Sequence, residues 1–101
     1  GPEMDAAVAK ALGWAKTTVM YDEPECTAKA IGVRDELSPV ENVPAFSTDW
    51  NAAMQAAEAC GLFEQYGLCK QGNLWCVSNG VDSTTGPAAI ALAILKLKGK
   101  A

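Results

Sequence analysis

Twelve carboxylates, four thiols and no imidazole set the chemistry open to this chain of 101 residues. Without histidine there is no Ser–His or Cys–His nucleophile and no ordinary general base near neutral pH, which removes most hydrolytic mechanisms. The remaining acid–base device is a carboxylate pair drawn from Asp22, Glu23, Glu25, Asp35, Glu36, Glu41, Asp49, Glu64 or Asp82. Most of these sit in turn-like or loop-like stretches without aligned spacing and read as solvated charge. Cys26, Cys60, Cys69 and Cys76 contain no Cys-x-x-Cys pair, and with no histidine to complete a tetrahedral set, no metal site is expected. Alternating hydrophobes around Cys69 and Cys76 point to buried, inert thiols. The inventory favours a protein that binds over an enzyme, with no cofactor.

Binding is better supplied. Ser47-Thr48-Asp49 and Thr84-Thr85-Gly86 stand where two helices would begin, and helix N-termini present unpaired N–H groups that can hold phosphate or carboxylate. Ordinary capping is the plainer use of the same residues. Asp49 would repel an anion at the first start, whereas Gly86 lets a ligand approach the backbone at the second, the better candidate. Of the three tryptophans, Trp50 reads as core packing, as Trp14 and Trp75 do less strongly, and an exposed one can stack on a nucleobase. Arg34 lies in a polar stretch and can pair with a phosphate or simply be solvated. The candidate ligand-binding residues are therefore Thr84, Thr85, Gly86, Trp14, Trp75, Arg34, Ser47 and Thr48.

The elements that position them follow from periodicity. Met4, Val8 and Leu12 recur at helical spacing over 3–12, and Gly13 stops that helix. Thr17, Thr18, Val19 and Tyr21 predict a strand within 14–21. Pro24, Pro39 and Pro44 forbid a long helix over 22–45, leaving a second strand at Thr27–Val33 and a solvated loop over 34–43. Trp50, Ala53, Met54 and Ala57 share one face of a helix capped by Ser47 or Thr48, with Asp49 in its first turn and Gly61 at its end. Two strands, 63–70 and 74–78, form a hairpin around Gln71-Gly72-Asn73, and 78–83 is a polar loop.

The last helix runs from Pro87 to about Lys98, with a threonine as cap and its lysines at the negative end of the dipole. It is apolar nearly all round. Its second face is either covered within the monomer or meets another subunit, and so small a domain has few elements to spare, so a homo-oligomer through residues 87–98 is expected. The order α-β-β-α-β-β-α, with about four mainly antiparallel strands and three helices, predicts an α/β domain of the α+β type. It would be a three-layer αβα sandwich over 3–98, with Gly1-Pro2 set aside as a tag remnant.

Half the residues are apolar and a fifth charged, so the chain should fold. A net charge of −4, with positive residues scattered until Lys96, Lys98 and Lys100, argues against duplex nucleic acid. The longest apolar run, Ala88 to Leu95, falls short of the roughly 20 residues that cross a bilayer. A cytoplasmic protein with free thiols is expected.

Three blocks carry a resemblance: Glu3-Met4-Asp5-Ala6-Ala7-Val8-Ala9 running to Gly13-Trp14, then Pro44-Ala45-Phe46-Ser47-Thr48-Asp49, then Gly86-Pro87-Ala88-Ala89-Ile90. On these the chain resembles the phage ABA sandwich domain family, small phage and prophage proteins with an αβα fold. The Pro-x-aromatic-Ser-Thr-Asp block ahead of an Ala-rich helix is the most specific. Members often carry Cys-Arg in the last helix, where this chain has Ala91-Leu92. The resemblance implies phage origin, the cytoplasm of an infected bacterial host and the fold, more than an activity. The resulting expectation is a non-enzymatic protein that sequesters a small anionic, nucleotide-derived host-defence signal. The alternative is an interaction module that blocks or recruits a host or phage protein through an apolar patch around the last helix.

Overall fold

Helix α1 (Pro2–Ala11) turns Val8 and Ala9 fully inward and leaves Lys10 in solvent. Pro2, set aside above, belongs to this helix, where its fixed φ suits the first turn. The computed structural model describes residues 2–22 and 27–99. Of the residues singled out above, Gly1, Glu23, Pro24, Glu25, Cys26 and Lys100 lie outside them.

Strands β1 (Lys16–Asp22) and β2 (Thr27–Val33) pair antiparallel from Lys16 opposite Val33 to Asp22 opposite Thr27. Alternation puts Ala30 and Gly32 on the face that meets α1, while Ile31 and Val33 point the other way. The stretch read as a solvated loop adds a third strand, β3 (Glu41–Asn42), and Val43 N–H extends the ladder to Ala30 O at 2.9 Å. The turn before it is closed by Asp35, whose Oδ1 accepts Leu37 N–H at 2.8 Å.

Helix α2 (Trp50–Cys60) buries Ala53, Ala56 and Ala57. Gly61 ends it at φ 72°, donating its N–H to Ala57 O and Glu58 O, a conformation in which a side chain would be strained. The segment 63–70, expected as one strand, divides instead. Its first part joins α3 (Leu62–Gln65), where fully buried Leu62 anchors a single turn closed by Tyr66 N–H to Leu62 O at 3.0 Å, and the strand β4 is only Leu68–Gln71. Burying Leu62 offsets about 1.5–3 kcal/mol against one turn of weak helix. β4 pairs antiparallel with β5 (Leu74–Val77) around Gly72-Asn73, as the composition of that turn predicts. The expected loop 78–83 contributes β6 (Val81–Ser83), antiparallel to β5. Asn79 ties the turn between them to the last helix through Nδ2 and Ala93 O, 3.2 Å apart.

That helix, α4 (Gly86–Leu97), is the centre of the molecule. Ile90, Ala91, Ala93 and Ile94 are wholly buried, and α4 packs on α1, α2, β5 and β6. Its all-round apolarity is thus accounted for inside the monomer. The open apolar face on which a subunit interface through residues 87–98, or a partner-binding patch around this helix, was expected is therefore absent among the described residues, because neighbouring elements cover it.

The α+β class with antiparallel strands is observed, and the layers are consistent with a three-layer arrangement. The described residues hold six strands in two separate three-stranded sheets, β1-β2-β3 and β4-β5-β6, and four helices, where about four strands and three helices were expected. No helix among the described residues is long and apolar enough to cross a membrane.

Candidate functional site

The two helix starts marked in the sequence meet. Ser47 and Thr48 from the approach to α2 and Trp50 from its first turn line one cavity with Thr84, Thr85, Gly86 and Pro87 from the start of α4 and Trp75 from β5. Its volume is about 410 Å³, within the range of small-molecule sites.

The wall at α2 is fixed by the backbone. Thr48 N–H and Asp49 N–H both donate to Ala45 O, at 3.1 and 2.8 Å, which folds 45–49 into a turn. Asp49, not Ser47 or Thr48, is the cap: its side chain accepts Asn51 N–H at 2.9 Å. The capping role expected of Ser47 or Thr48 is corrected accordingly, because the turn places both before the cap position. Ser47 is buried, and its N–H donates to Oδ1 of buried Asp5 at 2.8 Å, so α1 holds this wall in place. Thr48 is exposed.

The wall at α4 is shaped by a close approach. A Cβ built on Gly86 would collide with the six-membered ring of Trp50, so the indole occupies space that only glycine leaves open. Thr85 occupies the cap position of α4, yet neither it nor Thr84 caps the helix: Thr85 makes no side-chain cap bond, and the expectation of a capping threonine does not hold. Pro87 brings no N–H, so Gly86 and Ala88 supply the first-turn donors.

The aromatic part is a pair. Trp50 and Trp75 meet edge to face, ring centroids 5.0 Å apart and planes at 72°, and Lys70 Nζ sits 5.5 Å from the Trp75 centroid. The cavity therefore offers an indole surface, threonine hydroxyls, a helix start and a nearby ammonium. That set suits a flat ring carrying negative charge.

Six of the eight residues chosen from sequence, Ser47, Thr48, Trp75, Thr84, Thr85 and Gly86, are brought together here. Trp14 and Arg34 are not. Trp14 is part of the core, and Arg34 stacks on it at 4.9 Å while its Nε pairs with Glu41 Oε1 at 3.0 Å. Trp50 was missed because a tryptophan in a helix's first turn reads as core, whereas it is 43% exposed. The signal that would have found it is its position beside the cap, opposite a glycine that starts another helix.

Cys69 is exposed and Cys76 half-buried, correcting the expectation of buried thiols. The same alternation faces Trp75 and Val77 toward the core, which leaves the cysteines on the opposite face. Among the described residues, Cys60, Cys69 and Cys76 are free thiols, and no group of three or more Cys, Asp or Glu side chains is placed to hold a metal ion.

No family profile matches this chain, and no curated protein or solved structure is measurably similar to it.

Proposed function

We propose that this protein binds a small nucleotide-like anion in the cavity between the starts of α2 and α4 and holds it unchanged. Such binding would let a phage-encoded protein withdraw a nucleotide-derived defence signal from its host's cytoplasm. One observation carries the reading: the hydroxyl, glycine and tryptophan residues of two helix starts, distant in sequence, line a single cavity. The ring would lie against Trp75 and the charge toward Gly86 and Lys70, with stacking worth roughly 1 to 3 kcal/mol per base. Phage origin rests on the three blocks of family resemblance.

Titration calorimetry against linear and cyclic nucleotides tests it. Saturable binding is expected to one class, weakened at least tenfold in Trp75→Ala, with the ligand recovered intact after denaturation. Steady consumption of the ligand would make the protein an enzyme, and an absence of heat across the panel would remove the proposal.

A protein-contact reading is favoured by a different place. Beside the β1-β2-β3 sheet lies a groove of about 420 Å³ lined by Ile31, Val33 and Val40 together with Lys16 and with Lys10 of α1. Co-purification of a host protein, lost in Val40→Asp, would support it over sequestration.

A further inference from the structure

On the outer face of the second sheet, Cys69 of β4 stands directly opposite Cys76 of β5, and Cys76 directly opposite Asp82 of β6. The three residues form one row across neighbouring strands. Ser78 N–H donates to Gly67 O at 3.0 Å, two positions further along the same ladder. The antiparallel pattern repeats every two residues, so the Cys69–Cys76 pair is a hydrogen-bonded one as well, with Cα atoms about 5.5 Å apart. That separation falls inside the roughly 4.4 to 6.8 Å that a disulfide spans. Both thiols leave the sheet on the same side, within hydrogen-bonding reach of each other, and Cys69 is open to solvent.

We infer that Cys69 and Cys76 form a redox-reactive dithiol, a modification site that a hydroperoxide closes to a cross-strand disulfide. The thiolate of Cys69 attacks the peroxide oxygen, the O–O bond breaks, and the sulfur becomes a sulfenic acid as an alcohol or water leaves. The Cys76 thiolate then attacks that sulfur and expels hydroxide, which takes up a proton and departs as water. Two thiols and one hydroperoxide yield one disulfide, one alcohol or water, and one further water.

The order of events follows from surroundings. Cys69 is the more accessible sulfur, whereas the Cys76 S–H donates to the Asp82 carboxylate, which keeps its proton in place. Cys69 is therefore oxidised first and Cys76 resolves it. Cys60 takes no part: it sits on α2 with its thiol toward Ala57 O at 3.5 Å.

The test uses the whole chain, reduced, exposed to hydrogen peroxide, alkylated and digested with trypsin. Cleavage after Arg34, Lys70 and Lys96 puts Cys69 in peptide 35–70 and Cys76 in peptide 71–96. The expected product is these two peptides joined within one molecule, two hydrogens lighter than their sum. The link should persist in Cys60→Ala and vanish in Cys69→Ser, an exposed position where serine leaves the fold intact. A link between two copies of the chain, a link surviving in Cys69→Ser, or Cys76 still fully alkylated after Cys69 has oxidised would each overturn the inference.

Discussion

The indole of Trp50 lies in the space that a Cβ on Gly86 would fill. This relationship joins the first residue of α2 to the first residue of α4 and closes one side of the cavity. Gly86→Ala must push the ring aside, and because Trp50 is packed edge-on to Trp75 the displacement passes to the second indole. Overpacking of this kind costs about 1–3 kcal/mol. The expected result is a lower urea midpoint with unchanged slope, together with altered tryptophan fluorescence. The double variant Gly86→Ala/Trp50→Ala should recover part of the stability, since the second change removes the obstacle.

Asp5 holds the opposite wall. Its Oδ1 accepts Ser47 N–H across 42 positions of sequence, in a buried setting. Asp5→Ala removes the acceptor from a buried donor, a loss of about 1–3 kcal/mol. Hydrogen exchange should show a faster Ser47 amide, because the change unties α1 from the turn before α2 without touching the helix core. Asp5→Asn, which keeps an acceptor oxygen, should lose less.

Much of this was legible from the residues themselves. Thr27–Val33 is a strand to the residue, and Gly61 and the Gly72-Asn73 turn end their elements where their φ freedom says they should. The short pieces were not legible. β3 and β6 are two and three residues long and exist because Ala30 and Trp75 offer free ladder groups to them and the residues that follow, a cause that lies in the partner strand. The site was half readable. Helix starts advertise themselves through hydroxyls and glycine, but that the two starts face one another is a product of α4 lying against α2. Arg34 and Trp14 carried the right chemistry for binding and spend it on each other and Glu41.

The thiol of Cys76 is pushed up from 9.0 to about 11, chiefly by its hydrogen bond to the Asp82 carboxylate, then by burial and the charge of Asp82, with the charge and hydrogen bonding of Cys69 adding less. The unfolded chain releases that proton near 9.0 while the folded chain retains it. The contribution to stability is therefore fully present below pH 9 and is lost as pH rises through 11. Urea unfolding between pH 8 and 11 should show a decline that is shallower in Cys76→Ser, the comparison that subtracts lysine and tyrosine titration. In Asp82→Asn the thiolate absorbance of Cys76 should appear at lower pH, and peroxide-driven closure with Cys69 at neutral pH should quicken, because the resolving thiolate becomes more abundant.

Asp49 and Thr85 hold equivalent positions at the starts of α2 and α4 and differ in what their side chains do. Asp49 accepts Asn51 N–H and satisfies one of the donors that every helix leaves open, whereas Thr85 makes no cap bond. Asp49→Ala should therefore cost about 1 kcal/mol. Thr85→Ala should leave the thermal midpoint nearly where it is, since no cap bond is lost. Binding should reverse the ranking: Thr85→Ala removes a hydroxyl that lines the cavity, and Asp49→Ala removes a negative charge close to it, so an anionic ligand should bind the first variant less tightly and the second more tightly. Calorimetry on the two variants beside thermal melts reads both effects. If Thr85→Ala melted as low as Asp49→Ala and bound normally, the threonine would be an ordinary cap and the cavity would lose its polar centre.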